Sequence, residues 1–271
     1  AITLSGGSDN YYEYYFLIPG YLTITKKDVT ATWAAPLTRT YGGANPLVNS
    51  YNFNYTGLAN GQNAGSLTAN ADYTGITATT NAGTYTIGAT FSATNYNVIN
   101  APTTRLTINK LGITASWTGT LSRIYGDANP SVNTNNFTYT GFVNGDTNAA
   151  VTASADYLGT TSTTPVGSYA VNGAFTSTNY TVTNTPSTTM TISKRNITAT
   201  VQNDSRAYGD ANPAWNWSNV TWNNLANSET GSVLDALTLA AATATATSNA
   251  GTTHTIALSG FSDNNYNLTS A

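Results

Sequence analysis

Arg39-Thr-Tyr41-Gly42-Gly-Ala-Asn45-Pro46 is written three times in this chain. It returns as Arg123-Ile-Tyr125-Gly126-Asp-Ala-Asn129-Pro130 and as Arg206-Ala-Tyr208-Gly209-Asp-Ala-Asn212-Pro213. Successive copies lie 84 and 83 residues apart, longer than the turn of a solenoid and close to the size of a compact domain. The chain reads as a string of like modules, each with its own core.

Working outward from the turn, Val29-Thr-Ala31-Thr-Trp33, Ile113-Thr-Ala115-Ser-Trp117 and Ile197-Thr-Ala199-Thr-Val201 alternate apolar with polar residues at the period of a half-buried strand. Just before them stand Leu22-Thr-Ile24-Thr-Lys26, Leu106-Thr-Ile108-Asn-Lys110 and Met190-Thr-Ile192-Ser-Lys194, with the opposite parity. One straight strand would put half of these apolar side chains in water, so each pair marks a junction between the last strand of one module and the first of the next. The modules span 28–111, 112–195 and 196–271. Residues 1–27 read as the tail of a preceding module, because Leu4-Ser5-Gly6-Gly-Ser8-Asp9-Asn10 nearly repeats Leu258-Ser259-Gly260-Phe-Ser262-Asp263-Asn264. With about two residues between strands, and no Gly/Ser-rich or Pro-rich linker, neighbours should have little freedom to swing.

Modules one and two align without a gap and agree at about half their positions. After the repeated turn come a strand (Phe53 to Gly57, Phe137 to Gly141) and Asn60-Gly61 or Asn144-Gly145, a pair that favours a tight turn because both residues tolerate positive φ. In the third module Ser228 to Leu237 reads as one short capped helix. Its Trp222-Asn223-Asn224-Leu-Ala-Asn227-Ser228 replaces the Asn-Gly form, so a different turn is expected there. Gly83 to Ile87 and Gly167 to Val171 read as further strands. Short strands and Thr, Val, Ile and Tyr enrichment predict an all-β chain: tandem small β-sandwich or β-grasp-like modules in an elongated rod. Strands of about ten residues would give each module on the order of 35 Å of length.

Charged residues make up only 8% of the chain, the net charge is −3, and the nine Lys and Arg are scattered. That excludes an electrostatic footprint for nucleic acid. Without cysteine there is neither a disulfide framework nor thiolate chemistry. The most apolar run, Tyr14 to Ile24, is short and broken by Pro19-Gly20, so no membrane span is expected. Catalysis needs paired groups held close, yet no carboxylate recurs in all three modules and the single histidine, His254, falls where Tyr85 and Tyr169 stand. A ring filling a half-buried slot is the plain reading of His254, and a non-enzymatic chain follows. Asp127, Asn129, Asp210 and Asn212 offer oxygens that could hold calcium, but an Asx-type turn closed by proline is the plainer reading and the carboxylate density of a calcium loop is lacking. No other cofactor is expected. Arg39, Arg123 and Arg206 would either pack over the Tyr ring or bond the turn carbonyls. Lys26, Lys110 and Lys194 read as guards of a strand end, since no buried acid recurs with them for an isopeptide cross-link. The Tyr11 to Phe16 aromatic run would stack on sugars or another protomer, or plug a local core.

Together, the Tyr-Gly-x-x-Asn-Pro turn, Tyr-Thr-Gly-Phe142-Val-Asn144-Gly145-Asp146-Thr, Gly167-Ser-Tyr169 and Asn179-Tyr180…Met190-Thr-Ile192-Ser-Lys194 resemble the MBG-type (YGX) repeats of large bacterial adhesins. The resemblance implies a secreted or surface-anchored protein in which such repeats form stalks. It points to a structural stalk or fibre segment, with a glycan- or protein-binding adhesion module as the alternative. The expected partners are neighbouring modules of the same chain. The third module reaches Ala271 before a last strand of its own, so either a longer chain supplies that strand or Leu22 to Lys26 of another copy is donated to it, giving a homopolymer.

Overall fold

The computed structural model describes residues 20–269. The Tyr11 to Phe16 run and most of the 1–27 tail lie outside the described residues.

The unit ending at Leu111 carries seven strands: β1 (Lys27–Trp33), β2 (Leu37–Thr40), β3 (Phe53–Thr56), β4 (Thr68–Asp72), β5 (Gly83–Ser92), β6 (Tyr96–Val98) and β7 (Thr104–Asn109). They form two sheets, in the orders β3-β1-β6 and β2-β7-β5-β4. Both sheets are mixed, because β1 runs parallel to β6 and β2 parallel to β7. The alternation seen in the sequence sets which face is buried: Val29 and Ala31 point inward from β1, and Leu106 and Ile108 from β7. Between the sheets Phe53 stacks on Trp33 at 4.3 Å and meets Phe91 edge-on at 4.9 Å, an arrangement rings prefer over a flat sandwich. The parallel β1–β6 pair gains one more rung from a side chain. Asn100 accepts from Ala31 N at 2.9 Å and donates to Ala31 O at 2.7 Å, imitating a peptide group where the β6 backbone has turned away.

The second unit, Gly112–Ala271, contains the element set once in full and once in part. Strands β8 (Leu111–Trp117), β9 (Leu121–Ile124), β10 (Phe137–Thr140), β11 (Thr152–Asp156), β12 (Gly167–Thr176), β13 (Tyr180–Val182) and β14 (Ser187–Ser193) repeat the first seven. Their sheets, β10-β8-β13 and β11-β12-β14-β9, have the same order. The Trp117–Phe137–Phe175 cluster has the same ring separations, and Asn184 brackets Ala115 as Asn100 brackets Ala31. Lys194 alone then separates β14 from β15 (Arg195–Val201), which is followed by β16 (Val220–Asn223), β17 (Ala236–Ala240), β18 (Ala257–Ser262) and β19 (Tyr266–Leu268).

The fold is that of tandem all-β sandwiches, and among the described residues the helical pieces are single 3-10 turns. Three expectations need correction. Residues 228–237 hold no helix of the expected length, only the turn Gly231–Val233, whose preceding Thr230 makes no capping bond, followed directly by β17. The same short turn stands at Ala64–Ser66 and Asn148–Ala150. The Asn-Gly turn is kept in the third module with other residues: Asn224, Asn227 and Ser228 take the positive φ that Gly57, Asn60 and Gly61 take in the first. Asparagine is the non-glycine residue that best tolerates this region. Finally, residues 22–26 form no strand, and Leu22 and Ile24 are 72% and 88% exposed. Their counterparts in β7 and β14 are strands because each is paired on both sides; a strand's backbone needs such partners.

Candidate functional site

The repeated turn is a clamp. Arg123 is buried and fans its guanidinium over three oxygens: Nε donates to Asn129 Oδ1 at 2.9 Å, Nη1 to Ile124 O at 3.3 Å, and Nη2 to Thr161 O. Asn129 Nδ2 donates to the adjoining Thr160 O at 2.8 Å, and Gly126 N to Ser162 O at 3.1 Å. The Tyr157 hydroxyl donates to Pro130 O. In the first module Arg39 reaches Thr77 O at 2.6 Å and Thr40 O at 3.3 Å, Asn45 reaches Ile76 O at 2.8 Å, and Tyr73 reaches Pro46 O at 2.9 Å. There Arg39 Nε and Asn45 Oδ1 are buried without closing the bond that the second module makes. In the third, Arg206 bonds Asn212, Ala207 O and Thr245 O, and Asn212 Nδ2 donates to Ala244 O at 3.0 Å. So the arginine bonds carbonyls, and a planar five-donor group suits that fan. Gly42, Gly126 and Gly209 take φ of 82°, 87° and 93°, which a side chain would strain.

What the clamp holds is a second repeated loop that sequence reading missed. Thr77, Thr161 and Thr245 each donate from the backbone to a hydroxyl three residues on, at 2.8, 2.8 and 2.9 Å. Its signal was present as Thr77-Ala-Thr79-Thr80, Thr161-Ser-Thr163-Thr164 and Thr245-Ala-Thr247-Ser248, but it is weak in a threonine-rich chain.

We expect Arg123→Ala to cost about 2 kcal/mol, since it strands buried carbonyls and leaves a gap. Arg206→Ala should cost distinctly less, because Arg206 is only half-buried and water can replace it. Urea denaturation of the two variants checks the order.

The buried tyrosines form another unrecognised repeat. The hydroxyls of Tyr96, Tyr180 and Tyr266 donate to Gln62, Asp146 and Glu229, which occupy equivalent places. Within the second unit the last of these acquires a further role. Glu229 also accepts from Tyr125 of the preceding module at 2.7 Å, and the rings of Tyr125 and Tyr266 meet edge-on at 5.5 Å. Around them Met190, Ile192, Ile197, Val171 and Ala226 close one continuous core across the joint. Arg195, the first residue of β15, donates from Nε to Tyr125 O at 2.7 Å and forms an ion pair with Asp127.

Burial raises the pKa of Tyr266, and Glu229 raises it further; Tyr125 is shifted the same way by the same two causes in the same order. Burial alone raises Tyr55, Tyr139 and Tyr157. A tyrosine that holds its proton more tightly when folded contributes stability that is fully present below its unfolded value near 10 and lost as pH climbs through the raised value. The melting temperature should therefore be insensitive to these groups up to about pH 9 and fall above about pH 10. Glu229→Gln should make that fall shallower, because it removes the charge beside two of the hydroxyls.

The remaining candidates have ordinary structural surroundings. Asp127 is engaged by Arg195, both ends of the Asn129 and Asn212 amides are bonded to protein, and Asp210 N closes the turn on Ala207 O at 3.3 Å. Among the described residues no three His, Cys, Asp or Glu side chains gather as a metal site would require. His254 is half-buried, with Nδ1 3.0 Å from Thr243 Oγ1 and Nε2 3.3 Å from Thr252 Oγ1. Lys26 and Lys194 donate to Ala93 O at 2.7 Å and Asp263 O at 2.6 Å. Tyr41 and Tyr125 are buried, whereas Tyr208 is exposed.

Tandem sandwiches, each locked by an Arg-Tyr-Gly-Asn-Pro clamp and, within the second unit, joined through a shared core, define a repeat protein with neighbouring modules in one chain. The sequence profile of the MBG domain (YGX type) matches residues 113–191 and 197–271, and the chain belongs to that family. No curated protein matches the chain. Among the described residues no helix is long and apolar enough to cross a membrane.

Proposed function

We propose that the chain is a non-catalytic structural segment, a stalk or fibre-forming stretch, of a bacterial extracellular adhesin or matrix protein. The observation that carries this reading is the joint in the second unit. A connection of one residue, Lys194, flanked by a shared core and the Glu229 bridge between Tyr125 and Tyr266, resists bending where a polar linker would allow it. A joint of that kind suits transmission of force along a chain of modules. A surface poor in charge and rich in threonine and asparagine fits an extracellular setting. Small-angle scattering tests the reading: a maximum dimension growing by on the order of 35 Å per module supports it, and a compact globule overturns it.

A glycan- or protein-binding adhesion module is the second reading. It is favoured by exposed rings, Tyr51 at 68%, Tyr208 at 65% and Trp217 at 44%, on an amide-rich surface. A glycan array without hits removes the glycan form of it.

A further inference from the structure

The edge of a β-sheet presents a row of unpaired N–H and C=O groups, and natural proteins blunt it with short strands, bulges, prolines, lysines or an inward-pointing charge. Each of the first two modules has four edge strands: β2, β3, β4 and β6 in one, and β9, β10, β11 and β13 in the other. Three of each four are guarded. β6 and β13 last only three residues. β2 and β9 last four, and each turns a buried arginine inward, Arg39 and Arg123. β3 and β10 also last four and stop at Gly57 and Gly141, whose φ of 103° and 111° leaves the strand region.

The fourth edge carries no such device. β4 and β11 are five residues each, pair in unbroken register with β5 and β12 on one side, and meet no strand on the other. Their sequences, Thr68-Ala-Asn70-Ala-Asp72 and Thr152-Ala-Ser154-Ala-Asp156, contain neither proline nor a basic residue. In the third module the corresponding strand β17 has a register irregularity between Ala236 and Thr238, so there the edge is interrupted.

These five-residue edges also complement themselves. Laid antiparallel to a second β11 with Ser154 at the centre, Thr152 stands opposite Asp156 of the other copy, Ala153 opposite Ala155, and Ser154 opposite Ser154. Thr152, Ser154 and Asp156 are exposed, whereas Ala153 is buried and Ala155 half-buried. Hydroxyls therefore meet carboxylates on the wet face, and methyl groups too small to hold a neighbour away meet on the dry one. Asp156 accepts from Leu158 N through Oδ1, and a carboxylate has lone pairs for further donors. β4 has the same pattern, with Asn70 at the centre.

We propose that the unguarded β11 edge, and the β4 edge built like it, docks the same edge of a second copy of this chain. Backbone bonds to an added strand give such a contact its affinity. Any extended segment satisfies the backbone, but a second β11 also sets a threonine opposite an aspartate at both ends at once, and that selects the occupant. The contact is isologous, so at each edge it closes as a pair and joins two four-stranded sheets into one. It lies beside the rod axis argued for above and holds under either reading of the function.

The chain has no cysteine, so a register-specific cross-link tests the proposal directly. In the proposed register residue 154 faces itself across about 4.5–5.5 Å between Cα atoms, within reach of a disulfide. Residue 152 lies four strand positions from its own copy, roughly 13 Å away and out of reach. Both sites are exposed, so neither Ser154→Cys nor Thr152→Cys threatens folding. Under mild oxidation the Ser154→Cys chain should form a linked dimer at least about tenfold faster than the Thr152→Cys chain. A mixture of Thr152→Cys and Asp156→Cys chains should cross-link to each other, and Ser154→Lys added to both should abolish that link by placing two ammonium groups face to face. Equal rates for Ser154→Cys and Thr152→Cys, or a mixed link that survives Ser154→Lys, overturns the proposal. If this edge takes a glycan or a different protein instead, the purified chain forms neither link, which also overturns it.

Discussion

Gly126→Val should loosen the second unit by about 3 kcal/mol or more, the sum of two separate penalties. Gly126 sits at φ 87°, where a β-branched residue is strained by about 1–2 kcal/mol. A Cβ placed there would also lie 2.2 Å from the Cβ of Ala226 in the next module, with the Arg195 guanidinium 3.3 Å away. Such an overlap must push the two modules apart, and overpacking of that kind costs a further 1–3 kcal/mol or so. Gly209→Val isolates the first penalty, because Gly209 has φ 93° and nothing within 4 Å of an added Cβ. Hydrogen exchange is the measurement of choice, since it follows each module separately where a single unfolding curve would merge them. Gly126→Val should deprotect β14 and β15 together. If Gly209→Val proves equally costly, close packing at the joint is not what restricts Gly126.

Met190→Ala should cost about 2–5 kcal/mol. Met190 is fully buried in β14, hydrogen-bonded to strands on both sides, and its side chain belongs to the core that spans the joint. Truncation leaves a cavity in a place that cannot collapse, because sheet spacing fixes the walls. Met190→Leu is the informative companion. Leucine already fills the same position as Leu106 in the first unit, also fully buried, so this exchange should cost less than about 1.5 kcal/mol. Urea midpoints of the two variants check both figures.

The legible part of the fold was its periodicity. Alternation in Val29 to Trp33 and its two repeats gave the first strand of each sandwich with the correct inward face, because one face must be dry and a one-residue slip would wet it. The repeated Tyr-Gly-x-x-Asn-Pro was legible as a turn, yet its partner was not. Arg123 and Asn129 reach a threonine loop some 30 to 40 residues away, and no local rule encodes that distance. The Ser228 to Leu237 segment shows the limit of capping signals: hydroxyl and acidic residues in the right order suggested a helix, while the sheet register already assigned Ala236–Ala240 to β17. Tertiary pairing outweighs a propensity of a few tenths of a kcal/mol per residue. Glu229 was invisible for a different reason. It stands where Gln62 and Asp146 stand, so the position recurs as a hydrogen-bond acceptor and not as one residue type.

The one-residue connection at Lys194 has an evolutionary corollary. Tyr125 comes from one repeat and Glu229 from the next, so their meeting depends on how the two repeats are set against each other. An inserted fragment of a repeat would carry one partner past the other, whereas a whole duplicated repeat brings its own hydroxyl and its own acceptor. A change of length that keeps this bridge is therefore expected to come in whole repeats.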